Sequence, residues 1–449
     1  MDKNNGAIYD ARKLGKPKMI ILGVQHMFAM FGATILVPIL TGLDISTTLL
    51  MAGLGTLLFH CITKFKVPAF LGSSFAFLGG YAAIKAFSPN DPNSMLPYAC
   101  LGVACAGLIY FILAAVIKAV GIEKVMRFFP PVVTGPIIIA IGLGLAPSAV
   151  SNCTTNWFLA VVALAVIVVF NIWGKGMAKI IPIILGLLIS YGTGLVLYFI
   201  SQANPDLIQN VPWLFSGGAD ANGVYQPIFD FTSLNTICDN ISKGHIFGSE
   251  GLIGIPIHWD KTVFGGIDYS NGALIASSII AIVPIAFATM MEHIGDICAI
   301  SSTTGNNYIK DPGLHRTLVG DGLATTLASL FGGPANTTYG ENTGVLALTR
   351  VYDPRVIRIA AYFAVAVSFF PIVSVIIGSI PSCIIGGISF VLYGMISAIG
   401  VRNVVENKVD FTKSRNLIVA AVILVCALGL SSDTVSFTIG SAAITLSPL

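Results

Sequence analysis

Charge is what this chain has least of. Asp, Glu, Lys and Arg make up 10% of its 449 residues, against about 25% in a soluble domain. That shortage argues against a large water-soluble enzyme. Chemical motifs are also missing. No group of Cys, His, Asp or Glu has metal-ligand spacing, and neither a glycine-rich phosphate loop nor a nucleophile elbow occurs. No cofactor or resident metal is expected, and no membrane-embedded enzyme. The eight cysteines are scattered, mostly within apolar runs. The two that would face outward, Cys153 and Cys238, are read as unpaired. Asn336-Thr337-Thr338 matches a glycosylation sequon but falls at membrane depth.

What is abundant is apolar sequence, 55% of the chain. Runs of about 20 apolar residues, the length that crosses a bilayer core, recur almost throughout. They are Met19–Leu40, Ser46–Thr63, Leu96–Val120, Val125–Val150, Trp157–Trp173, Ala178–Ile200, Gly272–Ile300, Thr317–Phe331, Val356–Gly378, Ile380–Gly400 and Asn416–Leu430. Pro68–Ala86 and Gly333–Leu348 are apolar too, but Gly, Ser, Asn and Pro interrupt them. Counting both gives thirteen crossings. No signal peptide is read before the first.

Loop charge tests that count, because cytoplasmic loops collect Lys and Arg. With the N-terminus inside, 21 of the 24 Lys and Arg fall inside. Only Lys85, Lys243 and Lys261 fall outside. The net charge of +3 therefore reflects orientation in a cytoplasmic membrane, and no nucleic-acid partner is expected.

The polar segment from Ser201 to Asn271 is a long outer loop between two apolar halves that echo each other. Gln25-His26 in the first matches Glu292-His293 in the second. Ser73-Ser74-Phe75 matches Tyr339-Gly340-Glu341, and His26 to Ser74 and His293 to Glu341 are both 48 residues. The first half has seven crossings, so the second starts on the opposite side, as an inverted repeat does. A complete fourteenth helix has no room after Leu430, so that span is expected to be missing or truncated.

Irregular backbone at membrane depth survives only where protein or a watery cavity shields it. The third and tenth spans, each a short strand followed by a half-helix, are therefore candidates for the site. Their half-helix ends offer unpaired N–H groups and a positive dipole end. Glu292, Asp296 and Glu341 lie deep in apolar sequence, with Asp321 nearer a helix start. Glu292 and Asp296, four apart, share a helix face. Acids in such places are typically proton relays or substrate ligands. A carboxylate facing half-helix N–H groups suits a flat molecule with alternating N–H and C=O. Phe75 and Tyr339 could pack on its faces. On the residues alone, this is a transporter for a small polar solute, and proton symport is a natural reading.

The ordered motifs then carry a resemblance. The opening from Val24-Gln25-His26 to Pro38, "PAFLGSSFAF", "EHIGD", "DPGLHR" and "NTTYGENTGVLALTR" resemble the nucleobase–ascorbate transporter family (nucleobase:cation symporter-2), and within it the bacterial uracil-permease branch. Asn342, Gly344, Thr349 and Arg350 match its signature. The likeness runs from about Lys18 to Leu430.

The resemblance implies an all-α polytopic membrane protein with an inverted repeat of seven plus seven spans. Core segments 18–124 and 272–378 would work against gate segments 125–200 and 379–449, with 201–271 as the extracellular loop. It implies uracil held by Glu292, Glu341 and backbone groups of Phe75 and Gly340, in a pocket lined by Tyr339. Tyr393 would approach from the gate. His26 and Asn342 would support the core, and Asp296 would serve proton coupling. A homodimer through the gate is also implied. Asp296 stands where the uracil branch has His, and Glu341 stands where purine members usually have Gln. The first is a departure toward the purine and ascorbate members, whereas Glu341 favours uracil over xanthine or urate, since a carboxylate cannot donate to a purine acceptor as a Gln amide can. An anion channel or exchanger on the same architecture would want cations or bare dipoles at the half-helices, where this chain has acids.

Overall fold

The computed structural model describes residues 7–125, 130–179, 181–429, 435–439 and 442–446; the side chains of Ile122, Glu341 and the residues beyond 434 fall outside that description. Helices α1 (Lys16–Thr41) and α2 (Ile45–Ile62) lead into strand β1 (Leu71–Ser73) and the short helix α3 (Leu78–Lys85). Next come α4 (Leu96–Val120), α5 (Pro131–Cys153), α6 (Trp157–Trp173) and α7 (Pro182–Ala203). The outer segment holds strands β2 (Ser216–Ala219) and β3 (Tyr225–Pro227) and helix α8 (Thr232–Ser242). The second half comprises α9 (Gly272–Ile282), α10 (Ile285–Thr304), α11 (Leu314–Leu330), strand β4 (Asn336–Thr338) and α12 (Gly340–Thr349). It continues with α13 (Pro354–Ser368), α14 (Pro371–Gly378), α15 (Ser382–Glu406) and α16 (Ser414–Gly429).

Among the described residues, seven helices are long and apolar enough to cross a membrane, or eight if α13 and α14 count as one span. The shorter apolar helices α6 and α16 occupy two more expected crossings. Helix α11 and the pairs β1–α3 and β4–α12 occupy the remaining three. Two expected spans are interrupted at proline, which removes a backbone donor and disfavours a helical residue before it. Pro284 separates α9 from α10, and Pro371 opens α14. After Gly429 the described residues form an antiparallel hairpin, β5 (Val435–Ile439) with β6 (Ala442–Leu446).

The chain divides into two compact units. One comprises residues 1–140, 255–369 and 400–449, the other residues 141–254 and 370–399. In the first, α4 packs on α11, α2 on α13 and α1 on α13. Small residues permit these approaches, as is usual where lipid gives helices no hydrophobic reason to associate. A Cβ on Gly322 would stand 2.6 Å from the Gly107 carbonyl oxygen, and one on Gly107 would stand 2.7 Å from that of Gly322. Part of the outer segment is tied to the same unit, where Thr47 Oγ1 donates to the Pro256 carbonyl at 2.6 Å. In the second unit α6 packs on α7. Cys153 there is buried and Cys238 exposed, and all eight cysteines are free thiols.

Candidate functional site

The two broken spans meet in the first unit. Strands β1 and β4 pair antiparallel, with Leu71 opposite Thr338, Gly72 opposite Thr337 and Ser73 opposite Asn336. All six residues are buried, so every polar group needs a protein partner. The pairing extends beyond the strands through Ser74 N–H to the Ala335 carbonyl (2.9 Å) and Tyr339 N–H to the Phe70 carbonyl (3.0 Å). Neighbouring helices supply the rest. Thr56 Oγ1 on α2 accepts from the Leu71 N–H at 2.9 Å and donates to its carbonyl at 3.2 Å. Asn336 Nδ2 donates to the Met51 carbonyl at 2.8 Å, and Thr325 Oγ1 on α11 donates to the Asn336 carbonyl. The irregular backbone is thus held by α2 and α11 as well as by the strand pairing.

Tyr339 completes the clamp. Its hydroxyl donates to the Ser73 carbonyl at 3.0 Å and accepts from Thr34 Oγ1 at 3.2 Å. The ring lies against β1 so closely that a Cβ on Gly72 would come within 2.5 Å of it. Tyr339 is buried in a cluster with Met30, Phe70 and Ile357, against which Phe75 packs half-buried. It ties one broken span to the other.

Glu292 and Asp296 lie one turn apart on α10, with Glu292 exposed and Asp296 half-buried. The Asp296 carboxylate sits at the start of α12. A Cβ on Gly340 would be 3.4 Å from Asp296 Oδ1, and Thr338 Oγ1 donates to Asp296 Oδ2 at 3.0 Å. An acid is therefore placed at the positive end of the tenth span's half-helix. Side chains added at Gly295 or Gly344 would meet nothing within 4 Å, so open space adjoins both helices here. The structure thus brings Asp296, Tyr339 and Gly340 to the junction of α10, β4 and α12, with Glu292 one turn earlier on α10. The backbone of Glu341 lies in the first turn of α12, but its carboxylate lies outside the described residues. His26 on α1 and Asn342 on α12 are fully buried, and neither side chain has a hydrogen-bond partner among the described residues. Tyr393 is buried on α15, within the second unit.

One part of this junction was not foreseen. Asp321 and His293 expose no surface, and Asp321 Oδ2 lies 3.3 Å from His293 Nδ1. Thr338 Oγ1 is 3.3 Å from the same nitrogen, and Thr337 Oγ1 is 3.5 Å from Asp321 Oδ2. A continuous polar line therefore runs Asp321, His293, Thr338, Asp296, through α11, α10 and β4. The signal was the helix start. The ninth span begins at Leu314, not Thr317, which carries Asp321 into the third turn and away from the surface.

These features belong to a multi-pass membrane transporter. The transmembrane domain of the cyanobacterial bicarbonate transporter BicA superposes with TM-score 0.64 at 12% identity, covering 95% of this chain and 98% of that one. SLC26A9 superposes with TM-score 0.51 at 12% identity, covering 94% and 63%. At that identity the likeness speaks for the fold alone, the seven-plus-seven inverted repeat. A sequence model described as the permease family matches residues 17–435, and the chain belongs to that family, the nucleobase–ascorbate transporters. The uracil permeases of Bacillus caldolyticus and Bacillus subtilis strain 168 are each 38% identical to it, over 91% of this chain and 85% of theirs. The putative pyrimidine permease RutG of Escherichia coli K12 is 35% identical over 97% of this chain and 89% of its own. The chain is a transporter, not an enzyme.

Proposed function

We propose that the protein carries uracil across the cytoplasmic membrane together with a proton, by alternating access, with its N-terminus inside. The observation that carries this reading is the position of Asp296 at the start of α12, one turn from Glu292 on α10 and beside open space at Gly295 and Gly344. Acids there accept from ring N–H groups, while α12 N–H groups donate to a ring carbonyl. Glu341 would add a second acceptor to the same turn, and Phe75 an apolar wall. The names of the relatives point to the same solute.

Proton coupling is supported by the line from Asp296 through Thr338 and His293 to Asp321. A charge moved through the membrane field gains about 2.3 kcal/mol per 100 mV, so a proton carried inward supplies useful drive. In this reading the first unit's broken spans form the transport core, and Tyr393 belongs to the gate.

Radiolabelled uracil uptake into proteoliposomes, with and without excess unlabelled xanthine, tests the substrate. Saturable uptake that unlabelled uracil blocks and xanthine leaves unchanged is expected. Block by xanthine at equal or lower concentration than by uracil would make the protein a purine permease.

A further inference from the structure

A cavity of about 440 Å³ lies at one end of α5, α15 and α16, outside the site above. Its volume falls within the range of small-ligand sites, about 300–1,000 Å³. One wall is apolar, made by Pro131, Val132 and Val133 at the start of α5 with Val409 and Val419. The rim is basic, made by Lys408, Lys413 and Arg415, with Asp410 as the one carboxylate among the described residues that line it. All of these residues belong to the first unit. An Asn403 Nδ2 to Thr134 Oγ1 hydrogen bond of 3.0 Å joins α5 to α15 beside it.

The charges on the rim are unequal in freedom. Asp410 is occupied within its own turn, accepting from Thr412 N–H at 3.0 Å and Thr412 Oγ1 at 2.6 Å, with Lys413 at 3.8 Å. Lys408 and Arg415 have no ion-pair partner among the described residues. Lys408 also holds a left-handed backbone, φ 51°, just past the end of α15, where glycine is the usual residue. Arg415 is the second residue of α16, in the first turn, where the backbone N–H groups have no partner within the helix. From the cavity, α16 continues with an exposed apolar face of Ile418, Val422 and Val425.

We propose that this cavity binds the phosphate headgroup of an anionic phospholipid. The guanidinium and two ammonium groups would hold the phosphate oxygens, Arg415 by a bidentate pair. The proline and valine wall would take the glycerol, and the α16 face would carry an acyl chain. A soluble phosphate shares the headgroup chemistry but makes no use of the apolar wall and face, and that contrast decides for lipid.

The test uses the full chain, purified and delipidated in detergent. Its melting midpoint is followed against added phosphatidylglycerol, phosphatidylcholine with the same acyl chains, or inorganic phosphate. Phosphatidylglycerol is expected to raise the midpoint saturably, and the other two to leave it unmoved. The variant Lys408→Gln/Lys413→Gln/Arg415→Gln should bind phosphatidylglycerol weaker by on the order of a hundredfold, from the loss of three cations near an anionic headgroup. Lys118→Gln/Lys175→Gln/Lys179→Gln, which removes three cations elsewhere, should keep the shift and its midpoint concentration. Equal shifts with the two lipids, an undiminished shift in the first variant, or a full shift with inorganic phosphate alone would each overturn the proposal.

Discussion

Asp321 Oδ2 and His293 Nδ1 lie 3.3 Å apart in a place where neither residue exposes any surface. Removing either partner leaves a buried polar group unpaired, which costs about 1–3 kcal/mol. Asp321→Asn and His293→Gln are each expected to lower the thermal midpoint of the purified protein. The double variant should fall short of the summed losses by about 0.5–3 kcal/mol, as residues of one network do. Additive losses would mean that the two side chains act separately.

The clamp between the broken spans rests on Tyr339 lying against Gly72. Gly72→Ala would place a methyl within 2.5 Å of the Tyr339 ring and 2.8 Å of Thr34 Oγ1. Overpacking of that kind costs about 1–3 kcal/mol. Gly79→Ala, in α3, meets nothing within 4 Å and should stabilise by about 0.5–1 kcal/mol, the usual gain of Ala over Gly in a helix. Thermal unfolding of the two variants side by side checks the contrast, and equal midpoints would remove the contact from the account.

Tyr339→Phe deletes the hydroxyl that donates to the Ser73 carbonyl and accepts from Thr34. The expected loss is about 0.5–1.5 kcal/mol, one net hydrogen bond. Faster hydrogen exchange at the β1–β4 amides should accompany it. Unchanged exchange there would show that the strands hold without Tyr339.

The N-terminal segment carries a pH dependence. Ile8 N–H donates to the Arg350 carbonyl and Tyr352 N–H to the Ile8 carbonyl, each at 2.8 Å, beside Asp10. The Arg12 side chain above all, then its N–H and the charge of Arg355, hold the Asp10 carboxyl at about 2, below its ordinary 3.8. A depressed value means that its contribution is present above 3.8 and is lost as the pH falls toward about 2. Hydrogen exchange at Ile8 and Tyr352, corrected for intrinsic rates, should stay slow down to 3.8 and accelerate below it. Acceleration at higher pH would assign the dependence to another group.

Much of this fold is legible in the sequence, because a bilayer imposes one length and one composition on every span. Apolar runs and loop charge locate α1, α2, α4 and α15, and the Gly, Ser, Asn and Pro breaks mark both β1–α3 and β4–α12. What periodicity does not carry is contact between distant residues. The join of Asp321 to Thr338 through His293 depends on how α10, α11 and β4 pack, and no spacing along the chain announces it. Likewise the hydrogen bonds that join the Tyr339 hydroxyl to Ser73 and Thr34 cannot be read from its place in the chain. Proline explains the breaks before α10 and α14, which hydropathy alone runs through.

The central claim is that acids beside the half-helix of the tenth span couple a proton to uracil. Its most direct measurement compares two uracil assays in proteoliposomes for the wild type and Asp296→Asn. One is accumulation driven by an imposed pH gradient, and the other is exchange of labelled for unlabelled uracil without a gradient. The account predicts that the wild type does both, and that Asp296→Asn keeps exchange but loses gradient-driven accumulation. Gradient-driven accumulation by Asp296→Asn equal to that of the wild type would contradict it.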